Sequence, residues 1–304
     1  MNTTKVTVKK RHKEIKFKNF LFSAIVGLIL TLMVIITLYP ILNTLALSFN
    51  DATDSLRGGI YFIPRKWSLE NYATVLRKNN IMTGFYVSIL RTTVAVVLQL
   101  STTALLAFVL SRKNFIFKKQ ISLLFVMTMY VNGGLIPTFL LYKDLGLTNN
   151  FWVYILPGMV SAFNMLVIRT YMNGLPESLQ ESAMIDGAGY FTVFIKIIIP
   201  LCKPVFATIA LFIAVGQWNS WFDTMLYNRM AENLTTLQYE LMKLLSSVSQ
   251  QSGNANTAQY SSGMVTASSV RSAATILTCL PIMALYPFLQ RYFVTGLTIG
   301  GVKE

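Results

Sequence analysis

The chain has 304 residues, of which 54% are hydrophobic and only 12% charged, with a formal net charge of +14 and a mean hydropathy of +0.53. A soluble domain carries about a quarter charged residues, so this composition excludes an ordinary soluble fold and indicates a multi-span membrane protein. The surplus Lys and Arg lie in short clusters beside apolar runs, where phospholipid headgroups and the positive-inside bias account for them; a nucleic-acid partner is not expected.

The N-terminal tail, residues 1–19, holds Lys5, Lys9, Lys10, Arg11, Lys13, Lys16 and Lys18 and leads into an apolar stretch from Phe20 to Leu47. No small-residue cleavage site follows, so the stretch reads as an uncleaved first span behind a cytoplasmic tail. His12, in that tail, and the two cysteines, Cys202 and Cys279, offer neither ligand spacing nor a disulfide framework, and no metal site is expected.

Windows of about 20 apolar residues, the length a helix needs to cross the hydrocarbon, occur at 20–42, 85–110, 121–142, 151–172, 204–222 and 273–293. They predict an all-α membrane protein with six transmembrane helices over 20–293. The loop Ser111–Gln120 gathers Arg112, Lys113, Lys118 and Lys119, whereas Lys143–Asn150 has only Lys143. That asymmetry places both termini in the cytoplasm, together with the loop at 173–203 and the tail at 294–304, and puts the segments at 48–84 and 223–272 outside.

The first outer segment carries Asp51, Asp54, Arg57, Gly58, Gly59, Pro64 and Trp67, a turn-rich composition expected to end in a short helix. In the second, Leu234, Leu237, Leu241, Leu244 and Leu245 recur at helical spacing and predict an amphipathic helix over Asn233–Ser247. A Ser/Gln/Asn-rich flexible loop at Ser246–Ser262 is expected after it. Arg91 falls inside the second window, toward its outer end; of snorkelling to the headgroups and facing the interior, snorkelling is the expectation preferred. None of the windows contains an acidic residue, although proton-coupled carriers commonly use an intramembrane carboxylate.

The loop at 173–203 is the most informative stretch. Glu181, Asp186 and Lys196 would each cost about 2.5–3.5 kcal/mol at the bilayer centre, so the segment belongs in water or against protein. Pro176 and the acidic residues after it suit a helix start, with Leu179, Ala183 and Met184 on one face and Glu177, Gln180 and Glu181 more exposed. Gly187 and Gly189 permit a turn, and a second helix is expected from near Gly189 to the Pro200 and Pro204 pair. The pattern Glu181-x-Ala183-x-x-Asp186-Gly187-Ala188, followed by Ile197-x-x-Pro200-x-x-x-Pro204, closely resembles the EAA loop of binding-protein-dependent ABC importer permeases; Ser182 replaces the usual Ala.

Further stretches resemble the carbohydrate-importer branch of that family, which is related to the maltose permease subunits and includes the LplC type. They are Asn132-Gly-Gly-Leu-Ile-Pro137, Leu156-Pro-Gly158, Gly216-Gln-Trp-Asn219 and Gln290–Lys303. The resemblance implies a type I ABC importer permease fold in the plasma membrane of a bacterium, with a cytoplasmic EAA coupling helix. It implies a second permease subunit, two copies of an ABC ATPase, an extracytoplasmic sugar-binding protein and a sugar substrate. Glu181 is then expected to face the ATPase, Asp186 to brace the turn and Gly187 to permit the reversal, with Ala183 and Ala188 in the same motif.

No phosphate loop, nucleophile elbow or His-Glu-x-x-His occurs, so no catalytic residue is expected and ATP and Mg belong to the partner ATPase. For the solute path, Asn164, Gln217, Trp218 and Asn219 offer amides and an aromatic face. Inter-subunit hydrogen bonding, and interface anchoring by Trp218 and Trp221, are the competing roles. The Asn132-Gly133-Gly134 break, with Pro137, either frees backbone for solute or serves close helix packing, the latter preferred. Rival readings are an ion-coupled secondary carrier, an ABC permease for a non-sugar solute, and a membrane-embedded glycan-processing enzyme.

Overall fold

Helix α1 runs from Thr3 to Phe49 without a break. The basic tail is therefore helical and continuous with the first span, because nothing between Lys5 and Asn19 interrupts the backbone: there is no Pro or Gly to stop it. The computed structural model describes residues 3–77, 79–253 and 266–301; among them the only strand-like pairing is an isolated bridge between Asn50 and Trp67. The chain divides into two units, residues 1–74 with 259–276, and residues 75–258 with 277–304.

In the first unit, α1 is followed by the short α2 (Ala52–Ser55) and, at the unit boundary, by α3 (Glu70–Leu76), the short helix expected at the end of the outer segment. Asparagine side chains hold the intervening turns. Buried Asn50 accepts from the Arg65 and Lys66 amides at 2.8 and 3.0 Å through Oδ1. Its Nδ2 donates to Asp51 O, Asp54 Oδ2 and Ser55 Oγ. Asp54 also pairs with Arg65 Nε at 3.0 Å, and the Asn50 hydrogen bond leads the influences that hold its carboxyl below the usual carboxylate range. Asn71 Nδ2 donates to Ser48 O and Asn50 O, so an otherwise irregular segment has its buried backbone groups answered.

The second unit contains α4 (Asn79–Ser111), α5 (Lys118–Tyr130), α6 (Leu135–Asp144) and α7 (Ala162–Asn173). They are followed by α8 (Ser178–Ile185), α9 (Tyr190–Val193), α10 (Ile199–Leu201), α11 (Lys203–Asn219), α12 (Phe222–Tyr227) and α13 (Leu237–Gly253). The last helix, α14 (Ala267–Gly301), begins in the first unit. It extends beyond the expected window at 273–293, through most of the expected tail; Val302–Glu304 lie outside the described residues.

Two of the expected spans are single long helices, Asn19–Phe49 and Asn80–Ser111, and three are bent pairs. The pair α5 and α6 turns by 117°, the 3₁₀ turns at Phe151–Gly158 meet α7 at 47°, and Tyr190–Leu201 meets α11 at 81°. The last bend has a sequence cause. Pro200 and Pro204 have no N–H to give to the carbonyls one turn back, and the chain widens to a π turn at Phe194–Ile198 before breaking at Cys202.

Helices α4, α7 and α11 enclose the core. Ala95, Ala104, Ala107 and Leu110 of α4 lie with Met165, Ile168 and Met172 of α7 and Ile209 and Ile213 of α11. The alanines let helix axes approach, which matters where lipid removes the hydrophobic drive between helices. Helix α13 starts at Leu237, later than expected, and Leu237, Leu241 and Leu244 are buried as the leucine spacing predicts. Its first amide donates to Ser88 Oγ at 3.0 Å. Of the expected flexible loop, residues 246–253 are helical and 254–262 lie outside the described residues.

Asn50→Leu keeps the volume but removes the acceptor of the Arg65 and Lys66 amides, at about 0.5–1.5 kcal/mol for each hydrogen bond lost, since both residues are exposed. Limited proteolysis of the variant is expected to cut within 51–67 faster than in the parent chain; an unchanged cutting rate would show that the asparagine does not hold the segment.

Candidate coupling loop and solute path

The 174–203 loop folds as the expected hairpin. Helix α8 ends at Asp186 in a Schellman turn: the Ala188 amide donates to Ala183 O at 2.9 Å and the Gly187 amide to Met184 O at 3.0 Å. Gly187 has φ +86°, a conformation that costs an L side chain about 1–2 kcal/mol. Ala183 and Ala188, the residues that flank this turn, pack against the core. Backbone bonds thus close the reversal, and the Asp186 carboxylate makes no hydrogen bond among the described residues.

The loop's buried face differs from expectation. Gln180, expected outside, is 7% exposed, whereas Leu179 and Met184 are 44% and 37% exposed. The helix is turned this way because Val193 and Phe194, from beyond the Gly187 turn, fill the apolar positions; Phe194 lies against Phe108 of α4 with ring centroids 5.0 Å apart. What remains outward is a mixed surface of Glu181, Ile185, Asp186, Tyr190 and Phe191. At its edge, Glu177 forms an ion pair with Lys113, whose ammonium is held above the ordinary lysine range by that hydrogen bond and charge. Both side chains are well exposed, so the bridge adds little stability.

The largest departure concerns Arg91. It is 1% exposed and does not snorkel. Its Nη2 reaches Asp223 Oδ2 at 2.5 Å and Gln217 Oε1 at 2.7 Å. Nη1 reaches Asp223 Oδ1 at 3.3 Å, and Nε reaches Gln217 Oε1 at 2.9 Å. The guanidinium carbon lies 4.2 Å from the centre of the Tyr154 ring. Asp223 stands one residue past the fifth window; the chain leaves the helix at Ser220 and Trp221, and α12 carries the carboxylate back to α4. Tyr154 itself donates to Leu234 O at 2.7 Å, and its hydroxyl lies 3.1 Å from Thr224 Oγ1, which extends the polar cluster to the approach of α13.

The cluster takes in one of the solute candidates. Half-buried Gln217 accepts from Arg91 and donates one Nε2 proton to Tyr154 O at 3.2 Å. Trp218 is buried and donates from Nε1 to Thr278 O at 2.9 Å, so its polar edge is also used within the fold. Asn219 is exposed and accepts from Gln238 Nε2 at 3.3 Å, and Asn164 is half-buried in the first turn of α7. Asn132 is exposed at the α5–α6 break, its Oδ1 accepting from the Gly134 amide at 2.9 Å, with Gly134 at φ +87°. Within this chain, no described atom beyond its chain neighbours lies within 4 Å of a Cβ placed at Gly133, and residues 132–134 are exposed.

Bent apolar spans around a small-residue core, with a polar hairpin set between two of them, define an α-helical membrane transport subunit. Residues 99–299 match the model of the binding-protein-dependent transport system inner membrane component family, and the chain belongs to that family. It is 32% identical over 288 residues to the polygalacturonan/rhamnogalacturonan transport system permease protein YtcP of Bacillus subtilis, covering 94% of this chain and 99% of that one. It is 34% identical over 269 residues to protein LplC of the same organism, covering 88% and 90%. Among solved structures it is similar to a bacterial ABC transporter involved in import of the acidic polysaccharide alginate, with a TM-score of 0.81 at 27% identity, covering 91% of this chain and 98% of that one.

Removing one member of a buried ion pair costs about 3–5 kcal/mol, less here because Asp223 is 23% exposed. Arg91→Met and Asp223→Ala are each expected to lower the thermal unfolding temperature in detergent, and the double variant to lose less than the two separate losses added together. Additive losses would show that the two groups do not act as a pair.

Proposed function

We propose that this chain is one of two permease subunits of an ATP-driven importer that carries an oligosaccharide derived from a polysaccharide across the plasma membrane. The 174–203 loop transmits the closure of a separate pair of ATPase subunits, which bind ATP and Mg, and an extracytoplasmic sugar-binding protein delivers the solute. Both termini and the loop face the cytoplasm. The observation that carries the coupling role is the outward surface of the hairpin: Ile185 is 85% exposed, Phe191 69% and Tyr190 54%, beside Glu181 and Asp186. Large apolar side chains grouped on a polar loop suit burial under a partner, and the Gly187 turn presents them in one fixed arrangement. The sugar class is supported by the relatives, whose names specify polygalacturonan, rhamnogalacturonan and arabinooligosaccharides. Asn132, Asn164, Gln217, Trp218 and Asn219 are the candidates for contact with a solute's hydroxyl groups, Gln217 and Trp218 while also hydrogen-bonded within the fold.

In a reconstituted complex, Gly187→Trp is expected to reduce sugar uptake by roughly tenfold, since a strain of about 1–2 kcal/mol at that φ corresponds to about a tenfold change in the population of the native turn. Glu181→Lys should do the same by reversing the charge offered to the ATPase. The isolated ATPase should hydrolyse ATP as before. Undiminished uptake in both variants would remove the coupling role.

A further inference from the structure

Beside the hairpin lies a cavity of about 320 Å³ whose walls include Ser111, Arg112, Lys113, Lys118, Glu177 and Gln180. Three cations line it against one carboxylate, and that carboxylate is already paired with Lys113. Arg112 is turned inward over the Phe108 ring at 4.4 Å. It donates from Nε and Nη2 to Phe108 O and Ser111 Oγ, leaving Nη1 without a partner among the described residues. Lys118 has no ion pair among the described residues and meets the repulsion of Arg169, Arg112 and Lys113. Cations do not gather this way to stabilise a fold; the arrangement suits an anion.

Gln180 gives the second, independent indication. It is 7% exposed, it lines the cavity, and its side-chain amide makes no hydrogen bond among the described residues. The side chain is thus held within the fold while its amide opens to the cavity with no partner there among the described residues, which leaves both its N–H groups and its carbonyl oxygen for a ligand. The surroundings specify the kind of ligand. The cavity sits at the end of the α4 and α5 spans, where headgroups lie, and the segment 116–124 that carries Lys118 also exposes Ile116, Phe117, Leu123 and Leu124, at 83%, 58%, 62% and 61%. A free anion in water would have no use for that apolar flank, whereas acyl chains would cover it.

We propose that this cavity holds the headgroup of one anionic phospholipid, with the phosphate between Arg112 and Lys118 and a headgroup hydroxyl on the Gln180 amide. Because Gln180 belongs to α8 and Lys118 to α5, the bound lipid ties the hairpin to the α4–α5 loop. The charge of the leaflet then bears on how the hairpin is held. The site depends on the chain lying in a membrane and is independent of the coupling role proposed above.

The test uses the full-length chain in neutral detergent with equal amounts of phosphatidylglycerol and phosphatidylcholine, read by native mass spectrometry. Phosphatidylglycerol is expected to be retained preferentially. Lys118→Gln should lower that retention about fivefold, the weight of one cation near an anionic surface, and Lys143→Gln, in another loop, should leave it unchanged. Gln180→Met should also lower it while the lipid-free protein unfolds at the same temperature or higher, since only an unpaired amide has been removed. Equal retention of the two lipids, or no effect of Lys118→Gln, overturns the proposal. Displacement of phosphatidylglycerol by inorganic phosphate alone also overturns it, by assigning the cavity to the free ion.

Discussion

Hydrocarbon offers a polar group no hydrogen bond, so each charge and each free peptide of a membrane chain must be paired internally or presented to water or another chain. Arg91 shows the first solution. Its guanidinium is enclosed by Asp223, Gln217 and Tyr154, which come from three separate parts of the second unit. The pairing fixes where the chain turns after α11, because Asp223 reaches Arg91 only when the helix ends at Asn219. The second solution appears at the α5–α6 break and in the 174–203 hairpin, whose polar groups this chain does not cover.

The two solutions differ in how far the polar groups are engaged within the chain. Gln217 and Trp218 are hydrogen-bonded within the fold, to Arg91, Tyr154 and Thr278. Asn132 and Asn219 remain outward-facing. The hairpin likewise turns a buried side of Ala183, Ala188, Val193 and Phe194 to the core and an exposed side of Glu181, Ile185 and Asp186 away from it. A mechanical contact needs such a rigid, displayed surface, and the backbone-closed Gly187 turn supplies the rigidity.

Much of this was legible in the residues. Spans show as apolar windows because they must be long and uncharged, and the hairpin shows because Glu181, Asp186 and Lys196 cannot lie in lipid. The Arg91 pairing was hidden because its partner stands one residue past a span and returns only through a break at Ser220 that no proline or glycine announces. Gln180 was misplaced for a related reason. Eight residues of α8 carry little periodicity, and the apolar positions beside them are filled by Val193 and Phe194 from beyond the turn, so tertiary packing set the helix's rotation.

The central claim, that the hairpin is presented on the cytoplasmic side to an ATPase, is tested most directly by labelling a cysteine at its most exposed point. The native Cys202 and Cys279 are free thiols and would first be replaced by serine. A cysteine in place of Ile185 should then react with a membrane-impermeant maleimide in inside-out vesicles and not in right-side-out ones, and the assembled ATPase should block the reaction. Labelling from the outer face, or labelling that the ATPase leaves unchanged, would contradict the account.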